Sequence, residues 1–233
     1  MKSIRNLITL YRKSIMKKLK LGFLLSTLLA SAASYAAPGA YVGVNLGSGR
    51  MDTPDVDLAS LATGGATSAS DELGGGAGSI DLGYLWGQEK LNYGIELGAS
   101  KYADNKYTVN YVGETLNRTY KGYNVDLMGV IKYNFESRYN VFAKGGAAYT
   151  SQEFDVDKAG VLNNHSSDKN HKILPKIELG VGYDYQNGFG VNVAYSHIFG
   201  DSPAAFTDSN ATADDLNKVA SVDMFTIGVT YRF

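Results

Sequence analysis

An eight-stranded antiparallel up-and-down β-barrel, all-β and crossing a membrane with its strands, is the architecture that the sequence predicts. Three observations carry this expectation. Segment after segment alternates apolar with small or polar residues at period 2, and sustained helical periodicity is missing beyond Pro38. The connections between these segments alternate between short and long. The Val, Leu, Ile and aromatic residues gather on one face of each segment, while the other face is mostly Gly, Ala, Ser, Asn and Thr. A soluble barrel would turn its large apolar residues inward and needs a charged exterior. Small residues suit a crowded lumen, and an apolar face ending in Tyr, Trp or Phe suits lipid with an interfacial aromatic girdle.

The most hydrophobic window, Leu21 to Ala33, precedes the barrel. It follows Met16-Lys17-Lys18-Leu19-Lys20 and leads into Ser34-Tyr35-Ala36. A charged segment, a short apolar run and small residues at −3 and −1 read as a secretory signal cleaved after Ala36. Residues 1–36 are therefore an upstream extension plus signal, with Met1 and Met16 both open as the start, and residues 37–233 are the barrel. Removing 1–36 takes away seven bases and no acid, so the mature chain has 15 basic and 23 acidic residues, a net charge of −8. Such a chain lacks the basic stripe that nucleic acid requires. The absence of cysteine excludes disulfides, zinc-thiolate sites and a cysteine nucleophile.

The eight strands follow in order. Around 40–47, Val42, Val44 and Leu46 oppose Tyr41, Gly43, Asn45 and Gly47; around 76–86, Ile80, Leu82, Tyr84 and Trp86 oppose Ser79, Asp81, Gly83 and Leu85. The third sets Tyr93, Ile95, Leu97 and Ala99 against Gly94, Glu96, Gly98 and Ser100. The fourth sets Tyr123, Val125, Leu127, Ile131 and Tyr133 against Asn124, Asp126, Met128 and Lys132. In the fifth, Val141, Ala143, Ala147 and Tyr149 oppose Asn140, Lys144, Gly146 and Thr150, and in the sixth Ile177, Leu179, Val181, Tyr183 and Tyr185 oppose Lys176, Glu178, Gly180, Gly182 and Asp184. The seventh (Phe189, Val191, Val193, Tyr195) and eighth (Phe225, Ile227, Val229, Tyr231, Phe233) keep the pattern. Long connections are expected at 49–74, 103–118, 152–172 and 200–219, and short ones at 87–90, 135–138 and 186–188, where Asn187-Gly188 tolerates the positive φ of a tight turn. The long connections hold 15 acids and 7 bases, against 8 of each elsewhere in the mature chain, so the net charge belongs to four acidic loops outside the cell.

On the polar face, Asp81, Glu96, Asp126, Glu178 and Asp184 with Lys132, Lys144, Lys176 and Arg232 are expected to meet in the lumen as a charge network, since buried charges must be paired. Tyr84, Trp86, Tyr133, Tyr183, Tyr185, Phe189 and Tyr231 are candidate interface aromatics near the short-turn end. Lys101 and Lys121 stand on the apolar face at the outer ends of neighbouring strands, where they either snorkel or contact lipopolysaccharide phosphates. No catalytic or metal site is expected. His165, Asp168 and His171 match no ligand spacing. Ser196 and His197 alternate to opposite faces, so nucleophile and base cannot meet.

With these residues in view, the chain resembles the small eight-stranded outer-membrane barrels, the OmpA-like transmembrane and opacity-type surface proteins of Gram-negative bacteria. The final strand, Phe225-Thr226-Ile227-Gly228-Val229-Thr230-Tyr231-Arg232-Phe233, is the most specific element. The resemblance implies that Phe233 is read by the barrel-assembly machinery, that outer-membrane lipid and lipopolysaccharide surround the barrel, and that no cofactor is needed. A peptidoglycan-binding domain like that of the full-length OmpA-type proteins is not expected to follow the final strand, so cell-wall tethering is not implied. Function is then expected in the four loops, as a structural and surface-interaction role with an extracellular or host ligand. The alternative is a narrow porin-like channel; a secreted lipocalin-like barrel and a lipid-modifying enzyme rank below it.

Overall fold

The computed structural model describes residues 39–53, 65–88, 90–159, 164–201 and 218–233. The expected leader and its cleavage site, residues 1–36, lie outside them. The described residues form nine strands: β1 (Gly39–Met51), β2 (Ala66–Glu72), β3 (Gly75–Gly87), β4 (Leu91–Tyr111), β5 (Glu114–Asn134), β6 (Tyr139–Ala159), β7 (Asn164–Asp184), β8 (Phe189–Ile198) and β9 (Val222–Arg232). β1 pairs with both β3 and β9, and the antiparallel ladder continues from β3 through β8 back to β9. Eight strands thus close into a ring that leaves no edge, the condition for β-structure in lipid.

β2 is additional to the eight expected strands. It pairs with the upper part of β4, from Ala66 opposite Tyr111 to Glu72 opposite Lys106. Its segment, Ala-Thr-Ser-Ala-Ser-Asp-Glu, has no apolar face and shows no periodic signal. A second difference concerns the expected loops 103–118 and 152–172. β4 and β5 remain paired up to Tyr111 and Glu114 and turn tightly at Val112-Gly113, where Gly113 takes a φ of 83° that a side chain would strain. β6 and β7 remain paired up to Lys158 and Asn164. Two of the four expected long loops are therefore largely paired β-ladder standing on the barrel. β4 to β7 have 21 residues each, whereas a tilted strand crosses a bilayer in about 9–11 residues. About ten residues of each pass beyond it, a reach of roughly 30 Å at about 3.3 Å per residue.

The outward face is apolar and bare. Leu46, Leu127 and Ile227 are 70%, 60% and 63% exposed, a pattern that water would penalise and lipid rewards. Inside, two zones stack along the axis. The short-turn half of the lumen is polar and charged. Nearer the outer mouth lies an apolar cluster that includes Met51, Tyr102, Leu174, Ile198, Val219, Val222 and Met224. Residues returning from the last long connection complete this cluster. Ala220, fully buried, donates its N–H to Gln152 Oε1 at 2.8 Å and accepts from Gln152 Nε2 at 2.9 Å.

Candidate functional site

The lumen forms the best-defined site, and strand alternation explains which side chains enter it. Lys144 on β6 is its centre. Its Nζ lies 2.8 and 2.9 Å from the Glu96 oxygens on β4 and 2.8 Å from Glu178 Oε1 on β7. Tyr41 on β1 donates to Glu96 Oε2 at 2.6 Å. Tyr41, Gly83 and Glu96 occupy one hydrogen-bonded row, so the phenol reaches Glu96 by lying across Gly83. A Cβ on Gly83 would overlap that ring. Gly83→Val is accordingly expected to cost about 1–3 kcal/mol through overpacking, read as a lower urea midpoint. Gly129→Val serves as the control, because a Cβ there meets nothing nearer than Gly145 O at 3.5 Å.

Two further ion pairs flank this centre. Lys176 Nζ meets Asp126 Oδ2 at 2.8 Å, with both side chains at most 4% exposed. Towards the short-turn mouth, Lys132 Nζ meets Asp184 Oδ2 at 2.7 Å. Seven of the nine expected lumen charges are thus joined. Asp81 and Arg232 face the lumen without an ion pair among the described residues: Asp81 instead accepts from Asn45 Nδ2 at 2.5 Å and Ser79 Oγ at 3.3 Å. Both border a cavity of about 60 Å³ that is also lined by Lys132, Lys144, Asp184 and Asn140. Sequence reasoning missed Tyr41, Asn45, Ser79 and Asn124 as partners. Their parity with Gly43, Asp81 and Asp126 placed them inside, but neutral side chains give no charge signal.

The aromatic girdle is continuous in places. Tyr84 and Trp86 stand 5.0 Å apart, Tyr183 and Tyr185 5.0 Å, Phe189 and Tyr231 4.8 Å, and Tyr133 and Phe135 5.1 Å between ring centroids. Tyr231 also meets Phe233 at 4.9 Å, and the Phe233 N–H donates to Ala40 O at 3.0 Å.

At the outer end of the apolar face, Lys101 and Lys121 are exposed but differ in their surroundings. Lys101 stands opposite Tyr123. Lys121 is held by Asp155 Oδ2 at 2.5 Å, which keeps its ammonium above the ordinary lysine value. Lys169 lies 5.6 Å from the centre of the Tyr123 ring, a cation–π contact that the sequence did not reveal. His171 stacks on Tyr149 at 5.9 Å. The side chains of His165 and Asp168 lie outside the described residues. Ser196 faces the lumen, while His197 Nδ1 meets Asp223 Oδ1 at 2.7 Å on the other face, so the two do not form a nucleophile–base pair.

Comparison with known proteins fits this geometry. A relative from Coxiella burnetii (strain RSA 493 / Nine Mile phase I), described as an uncharacterized protein, is 25% identical over 181 residues, covering 67% of each chain. Among solved structures, Ail of Yersinia pestis in complex with the heparin analogue sucrose octasulfate is similar at 12% identity and a TM-score of 0.47, over 84% of this chain and 99% of that one. Neisserial surface protein A (NspA) is similar at 13% identity and a TM-score of 0.45, over 84% and 97%. The outer membrane protease OmpT from Escherichia coli is similar at 10% identity and a TM-score of 0.49, over 87% and 99%. Residues 21–233 match the model of the outer membrane protein beta-barrel domain. With an apolar face turned outward and a ring closed on itself, the chain belongs to the outer membrane protein beta-barrel domain family.

Proposed function

We propose that this outer-membrane barrel is a non-catalytic surface-interaction protein, which displays its long hairpins to ligands outside the cell. The observation that carries this reading is the continuation of the β4–β5 and β6–β7 ladders about ten residues past the span that a bilayer requires. A lumen filled by ion pairs and capped by apolar residues supports a role at the surface rather than through the wall. Outer-leaflet lipopolysaccharide belongs to the same reading as a neighbour of Lys101 and Lys169, with Lys121 held back by Asp155. Phe233 belongs to it as the residue read during barrel assembly.

The test compares bacteria that produce the full barrel with bacteria that produce one whose residues 104–119 are replaced by a two-residue turn. Retention on epithelial monolayers is expected to fall at least tenfold in the trimmed strain, while the barrel still shifts mobility on heating. Equal retention with equal surface levels overturns the proposal.

A narrow ion channel is the second reading, favoured by the cavity beside Lys132, Asp184 and Arg232. It requires unitary conductance in planar bilayers that changes when Lys132 is neutralised. Electrically silent bilayers remove it.

A further inference from the structure

The charges in the lumen divide unequally along its length. Asp81, Glu96, Asp126 and Glu178 share the middle with Lys144 and Lys176, while Lys132, Asp184 and Arg232 stand nearer the short-turn mouth. Both central lysines are already engaged, Lys144 by Glu96 and Glu178 and Lys176 by Asp126. The middle therefore holds four carboxylates and two ammonium groups, an excess of negative charge that a low-dielectric interior disfavours.

That excess converges on one place. Gly98 on β4 lies between Asp81 and Asp126 in a single hydrogen-bonded row. A Cβ on Gly98 would stand 2.7 Å from Asp126 Oδ1 and 3.1 Å from Asp81 Oδ1, so both carboxylates lean over the same glycine from opposite sides. The donors that reach them, Asn45 and Ser79 on Asp81 and Lys176 and Asn124 on Asp126, all act on the Oδ2 atoms. Two residues along β4, Ser100 is flanked by Ser79 and Asn124 in the adjoining inward row. Ser100 Oγ and Asn124 Oδ1 are buried without a hydrogen-bond partner, in residues only 4% and 0% exposed. Buried oxygens are ordinarily satisfied, and orphans in the row adjoining that of two carboxylates point to something that accepts their lone pairs.

We infer that the cradle above Gly98 and Ser100 binds a hard cation of the sodium or calcium class. Asp81 Oδ1 and Asp126 Oδ1 supply the charged ligands, and Ser100 Oγ and Asn124 Oδ1 the neutral ones. The donor set contains only oxygen, which suits alkali and alkaline-earth ions and excludes the thiolate or imidazole preference of softer metals. The absent side chain of Gly98 makes the room, and the cation offsets charge that Lys144 and Lys176 leave unbalanced.

The experiment uses the purified folded barrel in detergent, exchanged into N-methyl-D-glucamine chloride and titrated with sodium, calcium or magnesium chloride at constant ionic strength. One of these ions is expected to raise the unfolding midpoint saturably by several degrees, and elemental analysis after gel filtration is expected to find near-stoichiometric metal for a tight site. Asp81→Asn should weaken the response at least tenfold while leaving a heat-modifiable barrel, and Ser100→Ala should weaken it less. A wild-type barrel with no saturable response to any of the three ions overturns the inference and leaves protons or water to balance the charge. A response unchanged in Asp81→Asn overturns it as well, assigning the effect to the surface. Should Asp81→Asn fail to fold, the Ser100→Ala titration and the wild-type metal content decide between these outcomes.

Discussion

Lys144→Met is expected to destabilise the barrel by about 3–5 kcal/mol, the cost of breaking a buried ion pair from one side. The physical reason lies with the groups left behind. Glu96 is 3% exposed and keeps a hydrogen bond from Tyr41 but loses its cation, and Glu178 loses the same cation. Two neighbouring carboxylates without a counter-charge repel each other in a medium that screens poorly. Trp86, the sole tryptophan, sits in the girdle and reports unfolding in urea by its fluorescence. The triple change Lys144→Met, Glu96→Gln, Glu178→Gln is expected to recover most of the loss, because the penalty belongs to orphaned charge rather than to lost packing. If the single variant unfolds at the wild-type midpoint, Lys144 does not neutralise these carboxylates.

Leu97→Arg ranks next, with an expected loss of about 2–4 kcal/mol, the figure for a cation on the lipid face near the bilayer midplane. Leu97 pairs with Leu82 on one side and Leu127 on the other, midway between girdle Tyr93 and outer Lys101 on the same face of β4. Its 51% exposure would make the arginine harmless in water. Val112→Arg provides the comparison. Val112 is 89% exposed at the β4–β5 tip, and a change there is expected within about ±0.5 kcal/mol. Folding yield in lipid vesicles and urea midpoints measure both. Equal effects at the two positions would mean that Leu97 does not face lipid.

Where lipid imposed a rule, the fold was legible in the sequence. Between Leu91 and Lys101 every second residue is Leu, Tyr, Ile, Leu, Ala or Lys, because one face meets hydrocarbon and the other a crowded lumen. Beyond Tyr102 the same strand runs Ala-Asp-Asn-Lys-Tyr-Thr-Val-Asn-Tyr. Alternation continues there, but the register shift between Tyr102 and Asn105 reverses its parity, so that Tyr107 and Val109 turn to the buried face and the polar residues alternating with them face outward, a reversal that spacing alone does not show. β2 went unseen because its segment carries no apolar face. Within the site, alternation showed which charges point inward but not which ones meet. Lys132 reaches Asp184 52 residues further on, and that meeting depends on the stagger of three strands. Asp81 and Arg232 illustrate the limit: both are inward by parity, yet the stagger carries neither to an opposite charge.

The pairing of β4 with β5 up to Tyr111 and Glu114, interrupted by one register shift between Tyr102 and Asn105, bears on recognition in a different way. A floppy loop surrenders conformational freedom when it docks, and that surrender weakens the complex. Here the backbone freedom of the hairpin has already gone into the ladder at folding. A ligand of the proposed kind that meets the tip finds a shape in place, anchored through ladder hydrogen bonds that continue past that shift into the membrane wall. Affinity changes among variants of such a tip should then follow side-chain contacts rather than chain ordering.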